Sequence, residues 1–327
     1  MNTRRIRTMD LFCGAGGSSH GAQNAGVEII AGFDIWEPAI KTYQANFPQA
    51  AVYHKDITEL NPAQVKKKIG NIDLMLASPE CTSHSRAKGS AERSEDSRRT
   101  AFEVVRFASE FNPKWIVIEN VVDMKSWGSY DKLLMQLRQL GYFVNDDVIL
   151  NAKDFGVPQA RERLFILCSR LGEPIAPLPS DKLERPVSSI ISENTYHFTP
   201  LRKRGRAKAT IVKADHAITN LEQREPFLIV YYGSGKNGNG GWQTIHEPLR
   251  TITTLDRFGY VIPYKNGHRM RMLQPEELKL AMGFNKDFKL DEVEGLTRRQ
   301  RVKLMGNGVC PPVMEAIVKS LTSQQDH

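Results

Sequence analysis

The segment DLFCGAGGSSHG, residues 10–21, runs a strand-like apolar stretch straight into a glycine-rich turn and then into a helix-compatible run. Glycines at such a turn accept unusual φ/ψ values and let the backbone approach a ligand, while the helix start offers free N–H groups. Taken alone the turn has a plain structural reading, because glycine turns after strands are common. The next strand candidate, VEIIAGF (27–33), ends at Asp34, about twenty positions after the loop, where a carboxylate accepts hydrogen bonds from ribose hydroxyls. Asp56 and Ile57 then fall near the end of a third strand, where a carboxylate and an apolar side chain suit the edge and face of an adenine. Together these features point to an adenosine-containing ligand, without separating a nicotinamide cofactor from S-adenosylmethionine.

The same rhythm continues on either side. TMDLF (8–12), IDLMLAS (72–78), WIVIEN (115–120) and RLFILCS (163–169) are short apolar strand candidates with helical stretches between them, as in an α/β protein with a mostly parallel sheet. DKLLMQLRQLG places Leu133, Leu134, Leu137 and Leu140 on one helical face, with Gly141 set to end the helix. Near residue 172 the texture changes: EPIAPLP carries three prolines in seven residues, and RKRGRAKATIVK (202–213) six basic residues in twelve. The expected division is a first domain at 1–171, a smaller, irregular, β-rich second domain at 172–265, and a return segment at 266–327. The last of these ends in a helix, CPPVMEAIVKSL, that completes the first domain.

The 327 residues supply a normal core, 40% of them hydrophobic, and the net charge of +8 favours a polyanionic partner. Four scattered cysteines, Cys13, Cys81, Cys168 and Cys310, form neither a CxxC pair nor a zinc-type spacing, so free thiols in a reducing cytoplasm and no metal site are expected. No stretch resembles an export signal or a membrane span.

Three separated pieces carry chemistry. Cys81 follows the strand IDLMLA within SPECTSHS (78–85), among loop residues instead of the apolar run an inert core thiol would occupy, which favours a reactive thiol. The apolar run of WIVIEN leads directly into Glu119 and Asn120, and burial there raises the Glu119 carboxyl pKa enough to keep a proton near neutral pH. In PQARERLFI, Gln159, Arg161 and Arg163 alternate, which puts them on one face of a strand; two arginines aimed into a sheet end suit phosphate or a carbonyl oxygen.

DLFCGAGG, Asp34, Asp56-Ile57, PEC, ENV, QARER, RMLQPEELKLAMGF (271–284) and GNGV (306–309) occur in the order and rough spacing of DNA (cytosine-5) methyltransferases, and the chain resembles that family over nearly its whole length. Only residues 175–265 lack a close match, the region where the family carries its variable target-recognition domain. The resemblance implies a Rossmann-like fold and S-adenosyl-L-methionine as cofactor, with S-adenosyl-L-homocysteine as product. Cys81 would attack C6 of a cytosine, Glu119 would contact N3 and the exocyclic amine, Arg163 would hold O2 and Arg161 would orient the catalytic loop. Phe12, Gly14, Ala15, Gly16 and Gly17 would cradle the methionine part, Asp34 the ribose, and Ile35, Asp56 and Ile57 the adenine, with Asn307 and Val309 completing the cofactor site. The chain departs from the pattern at Glu80 and Thr82, which flank the nucleophile where proline and glutamine or asparagine are usual, at Gln274, and at Ile35. Glu80 opposes thiolate formation if it points at the thiol.

A stacked cytosine is inaccessible to such chemistry, so the base must be flipped out of double-stranded DNA. Residues 82–99 suit a loop that closes over it, and the basic run at 202–213 suits phosphate. The implied enzyme is cytoplasmic and DNA-associated, in a bacterial cell or a phage-infected host, and monomeric, with a restriction endonuclease acting on the same site as a compatible partner. The competing readings are an RNA (tRNA) cytosine-5 methyltransferase, a non-catalytic DNA-binding protein and a nicotinamide-dependent oxidoreductase. The separate domain of some 90 residues disfavours the first, the intact Cys81, Glu119, Arg161 and Arg163 the second, and the PEC and ENV blocks the third.

Overall fold

The computed structural model describes residues 5–79, 100–179, 183–192, 196–221, 224–232 and 241–323. Eight strands belong to the first half: β1 (Arg7–Leu11), β2 (Glu28–Asp34), β3 (Ala51–His54), β4 (Leu74–Ala77), β5 (Trp115–Asn120), β6 (Phe143–Asn151), β7 (Gln159–Ala160) and β8 (Glu162–Ser169). All but β7 join one sheet in the order β3-β2-β1-β4-β5-β8-β6. Strands β1 to β5 run parallel, and β8 lies antiparallel to both β5 and β6. This is the mostly parallel α/β sheet expected from the strand rhythm.

Helices cover both faces, which is why β4 and β5 read as continuous apolar runs and are buried throughout. On one face lie α1 (Gly17–Asn24) and α2 (Glu37–Asn46); on the other lie α3 (Pro62–Ile69), α4 (Ala101–Phe111) and α5 (Tyr130–Gln139). The strand order reverses between β1 and β4, and a parallel sheet opens a crevice at the carboxyl ends of its strands at such a switch point. The glycine loop leaves β1 on one side of that crevice and Pro79 leaves β4 on the other.

The remaining elements are α6 (Lys208–Asn220), strands β9 (Thr199–Pro200), β10 (Phe227–Val230), β11 (Trp242–Thr244), β12 (Leu249–Arg250), β13 (Phe258–Tyr264) and β14 (Gly267–Met272), and helices α7 (Pro275–Ala281), α8 (Arg298–Asn307) and α9 (Pro311–Thr322). A second, antiparallel sheet has the order β11-β10-β13-β14-β9, with a small core of its own that includes Leu201, Ala217, Phe227, Ile229 and Val261. The β13–β14 hairpin straddles residue 265 and continues to Met272. Helix α9 buries Val313, Ile317 and Leu321 and lies on α1, where a side chain at Gly21 would meet the Pro311 carbonyl at 2.3 Å. Two elements depart from the sequence reading: β6 was not among the strand candidates, and part of the basic run at 202–213 belongs to a 13-residue helix instead of an irregular segment.

Where the hairpin passes into α7, Arg271 and Glu277 form a two-pronged ion pair with N···O distances of 2.6 and 2.7 Å. Their side chains are only 3% and 1% exposed. Burial of the two charges is offset by further hydrogen bonds and ring contacts, while the Arg271 Nε has no hydrogen-bond partner among the described residues. Arg271 also donates to the Ser192 carbonyl, Glu277 accepts from the Ser192 and Gln274 N–H groups, and the rings of Tyr196, Phe198 and Tyr260 surround the guanidinium at 5.1–5.2 Å.

Candidate active site

Glu119 is the penultimate residue of β5 and is 6% exposed. Burial raises its carboxyl above the ordinary value, while Arg163, Arg161 and Ser78 pull it partly back. The Arg163 Nε lies 3.1 Å from Glu119 Oε1. The antiparallel pairing of β5 with β8, which sets Glu119 opposite Phe165 and Asn120 opposite Leu164, brings the two side chains together at one sheet end.

Arg161 has another task. It is 3% exposed, and its guanidinium donates to the carbonyls of Ile252, Gly306 and Gly308 at 2.9–3.0 Å. Gln159 works beside it: its Oε1 accepts from Ile252 N–H and its Nε2 donates to the Ala281 carbonyl. Gln159 and Arg161 thus fasten three distant backbone segments to the catalytic sheet, while Arg163 is left to face Glu119. A cavity of about 10 Å³, large enough for one water, lies behind them, bounded by Arg161, Arg163, Phe165, Val309 and Cys310.

Asn120 donates to the Pro79 carbonyl at 3.2 Å, and its Oδ1 accepts from Val121 N–H. The Ser78 N–H donates to the Leu11 carbonyl. The chain leaving β4 is therefore fixed on both sides up to Pro79. Cys81, with Glu80, Thr82 and the expected closing loop to Arg99, lies outside the described residues.

At the other side of the crevice, Phe12 (φ 59°), Gly14 (φ 54°) and Gly16 (φ 96°) are all left-handed, which folds the loop back over β1 and β2. Cys13 N–H donates to the Phe33 carbonyl, and Gly14 N–H to Asp34 Oδ2 at 2.9 Å. The other Asp34 oxygen accepts from Trp36 N–H at 2.8 Å. Burial raises the Asp34 carboxyl in spite of these bonds and a further one from the Ile35 N–H, and the carboxylate keeps acceptor capacity for a ligand. A side chain at Gly14 would meet nothing within 4 Å, so the loop faces open space. Ala15, Gly16 and Gly17 are buried, and Gly17 packs on the Val309 carbonyl so closely that a Cβ would sit 2.2 Å from it. Asn307 is exposed. Ile35 is 64% exposed, whereas Ile57 is 5% exposed. Asp56 caps the turn that follows β3, accepting from Thr58 N–H and its hydroxyl. Backbone donors, a spare carboxylate acceptor and an exposed apolar side chain beside open space fit an adenosylated amino acid.

Sequence reasoning passed over three side chains. The Asn120 contact to Pro79 needs the tertiary structure. Ser19 and Tyr43, which hydrogen-bond beneath the loop, look like ordinary helix residues; only Asp10, a carboxylate inside an apolar run, gave a signal of the kind that singled out Glu119.

A family model described as C-5 cytosine-specific DNA methylase matches residues 6–323. The chain is 30% identical to the Type II methyltransferase M.HgiDI of Herpetosiphon aurantiacus, over 93% of this chain and 90% of that protein. It is 28% identical to M.HhaI of Haemophilus parahaemolyticus, over 97% and 94%. Its match to M.DdeI of Desulfomicrobium norvegicum, at 33% identity, spans 57% of this chain and 45% of that longer protein. Among solved structures, the Entamoeba histolytica methyltransferase EhMeth superposes with a TM-score of 0.72 at 21% identity, covering 98% of this chain and 99% of that one. A putative DNA modification methyltransferase encoded within an E. coli prophage gives 0.70 at 20% identity, with coverages of 98% and 100%. At these identities the structural likeness speaks for the fold alone.

Proposed function

Because the chain belongs to the C-5 cytosine-specific DNA methylase family, we propose that it methylates C5 of a cytosine flipped out of double-stranded DNA, with Cys81 adding to C6. S-adenosyl-L-methionine supplies an electrophilic methyl group when bound, and the glycine loop, Asp34, Ile35, Asp56 and Ile57 are the residues that would hold it. The Cys81 thiolate forms a bond to C6, and the electron pair displaced from the C5–C6 double bond makes C5 nucleophilic. Glu119, carrying its proton, donates to N3 as negative charge develops in the ring, and Arg163 holds Glu119 and the base's O2. After C5 has gained the methyl group, a base removes the C5 proton and the Cys81–C6 bond breaks, which restores the ring and the thiolate.

The observation that carries this reading is the buried Glu119–Arg163 pair at 3.1 Å, placed beside the Asn120–Pro79 contact from which the chain runs to Cys81. The basic run at 202–213 and the small antiparallel sheet are the proposed DNA-reading part, and a monomer acting in the cytoplasm is sufficient for one flipped base. Among the described residues no helix is long and apolar enough to cross a membrane. The Type II relatives are the ground for a restriction endonuclease of the same specificity as a partner.

Transfer of labelled methyl groups to duplex DNA, with transfer RNA as the comparison substrate, tests the proposal. Incorporation into DNA is expected; incorporation into transfer RNA alone would reassign the substrate. Cys81→Ser should bind DNA and lose turnover, and efficient methylation by it would refute the covalent route.

A further inference from the structure

Beneath the glycine loop, Ser19 of α1 donates a hydrogen bond of 2.7 Å to Asp10 Oδ2 on β1, and its oxygen lies 2.7 Å from the Tyr43 hydroxyl on α2. All three residues are fully buried. A serine hydroxyl has one proton, and Ser19 gives it to Asp10, so Tyr43 must donate to Ser19. The chain therefore has a direction: Tyr43 O–H to Ser19 O–H to the Asp10 carboxylate. Burial pushes the Tyr43 phenol well above its ordinary value, which keeps it a donor. Asp10 Oδ1 has no partner among the described residues, so the charge is steadied by this chain together with the Ser19 backbone N–H.

The same tyrosine determines where the loop sits. Its ring fills the space over Gly32 of β2, where a Cβ would come within 2.4 Å of it, and together with Phe47 it presses on Gly16 in the loop, where a Cβ would meet Phe47 at 2.4 Å and Tyr43 at 3.2 Å. One side chain thus touches the loop, the strand that ends in Asp34, and the hydroxyl chain to Asp10.

We infer that Tyr43 and Ser19 are positioning residues for the cofactor, holding the glycine loop at its binding height through an ionised Asp10. The inference rests on the proposed use of S-adenosylmethionine. When Asp10 is protonated on Oδ2 it becomes the donor to Ser19, three hydroxyl protons then share two contacts, and one of them is left without an acceptor, so the directed chain from Tyr43 to Asp10 is lost and affinity for the cofactor falls. The carboxyl is pushed up to about 7 by burial and by Asp34, with Ser19 acting against them, so the transition lies in an accessible range. The groups facing Asp10 are Ser19 of α1, Tyr43 of α2, Asp34 at the end of β2 and Cys13 of the loop, with Leu76 beside it in register on β4. None of them is cationic, and burial keeps the Cys13 thiol neutral.

Calorimetric titration of the free protein with S-adenosylmethionine at about pH 6 and about pH 8, on wild type, Tyr43→Phe, Ser19→Ala and Asp10→Asn, tests this. Tyr43→Phe keeps the ring and removes the donor; it should bind about five- to tenfold more weakly at the higher pH, as expected for one lost hydrogen bond. Ser19→Ala should do the same, and it carries the test if Tyr43→Phe does not fold. The cofactor's own amine titrates in this range for every protein, so the wild-type and Asp10→Asn profiles must be compared. Wild type should lose affinity on acidification more steeply than Asp10→Asn. Equal affinities and parallel pH profiles, with intact melting transitions, would overturn the inference while leaving the cofactor assignment standing. Failure of wild type to bind S-adenosylmethionine at either pH would instead remove the cofactor assignment on which the inference rests.

Discussion

Glu119 and Asp10 are both carboxylates set at the ends of apolar strands, and both are raised by burial, yet they differ in what faces them. Glu119 meets an arginine, so a proton gained or lost there is compensated by a neighbour; Asp10 meets hydroxyls and a second acid. Glu119→Gln keeps the shape and one donor but cannot hand over a proton, so kcat should fall by about 10²- to 10⁴-fold with cofactor affinity intact, as measured by single-turnover kinetics and calorimetry. Asp10 makes a separate prediction about stability. Its folded pKa, about 7, exceeds the ordinary 3.8, so the folded state holds the proton more tightly, and wild type loses stability as pH rises through that window. Asparagine does not titrate there. The melting temperature of Asp10→Asn minus that of wild type should therefore increase from acid to neutral pH. Glu119 was legible in the sequence because the apolar run WIVI leads into it without interruption, whereas Asp10 was hidden inside a motif whose glycines drew the reading to the loop.

The strands best marked in the sequence were those covered on both faces. WIVIEN became β5 residue for residue, and IDLMLAS contains β4, because a doubly covered parallel strand must be apolar along its length. β6 escaped for the opposite reason: it is an edge strand, with a register shift between Asn145 and Val148, and Asn145, Asp146 and Asp147 interrupt its apolar pattern. α6 escaped because KATIVKADHAITN is rich in β-branched residues, and its helix is selected by packing Ala214 and Ala217 on the small sheet. The contact between α1 and α9 allows a test at this level. Gly21→Ala would drive a methyl group into the Pro311 carbonyl and the Met314 side chain, and the overpacking should cost about 1–3 kcal/mol, read from denaturant unfolding. Removing one partner of the buried ion pair, as in Glu277→Gln, strands the Arg271 charge and should cost about 3–5 kcal/mol by the same measurement.

The two sheets are joined by more than the chain passages near residue 172 and after Met272. Strand β12 pairs in parallel with β7, matching Leu249 to Gln159 and Arg250 to Ala160. Thr251 donates through its hydroxyl to the Ala160 carbonyl, and the Ile252 backbone bonds both Gln159 and Arg161. Residues 249–252 are flanked in sequence by strands of the small sheet, β11 before and β13 after, yet they are built into the catalytic body. Nothing in LRTITTL announces this, since a two-residue parallel pairing has no periodicity of its own. For anyone recombining such proteins, a graft that imports a foreign stretch through 265 also imports the ratchet that seats Arg161. A crossover placed just upstream of Leu249 would keep host teeth in host grooves.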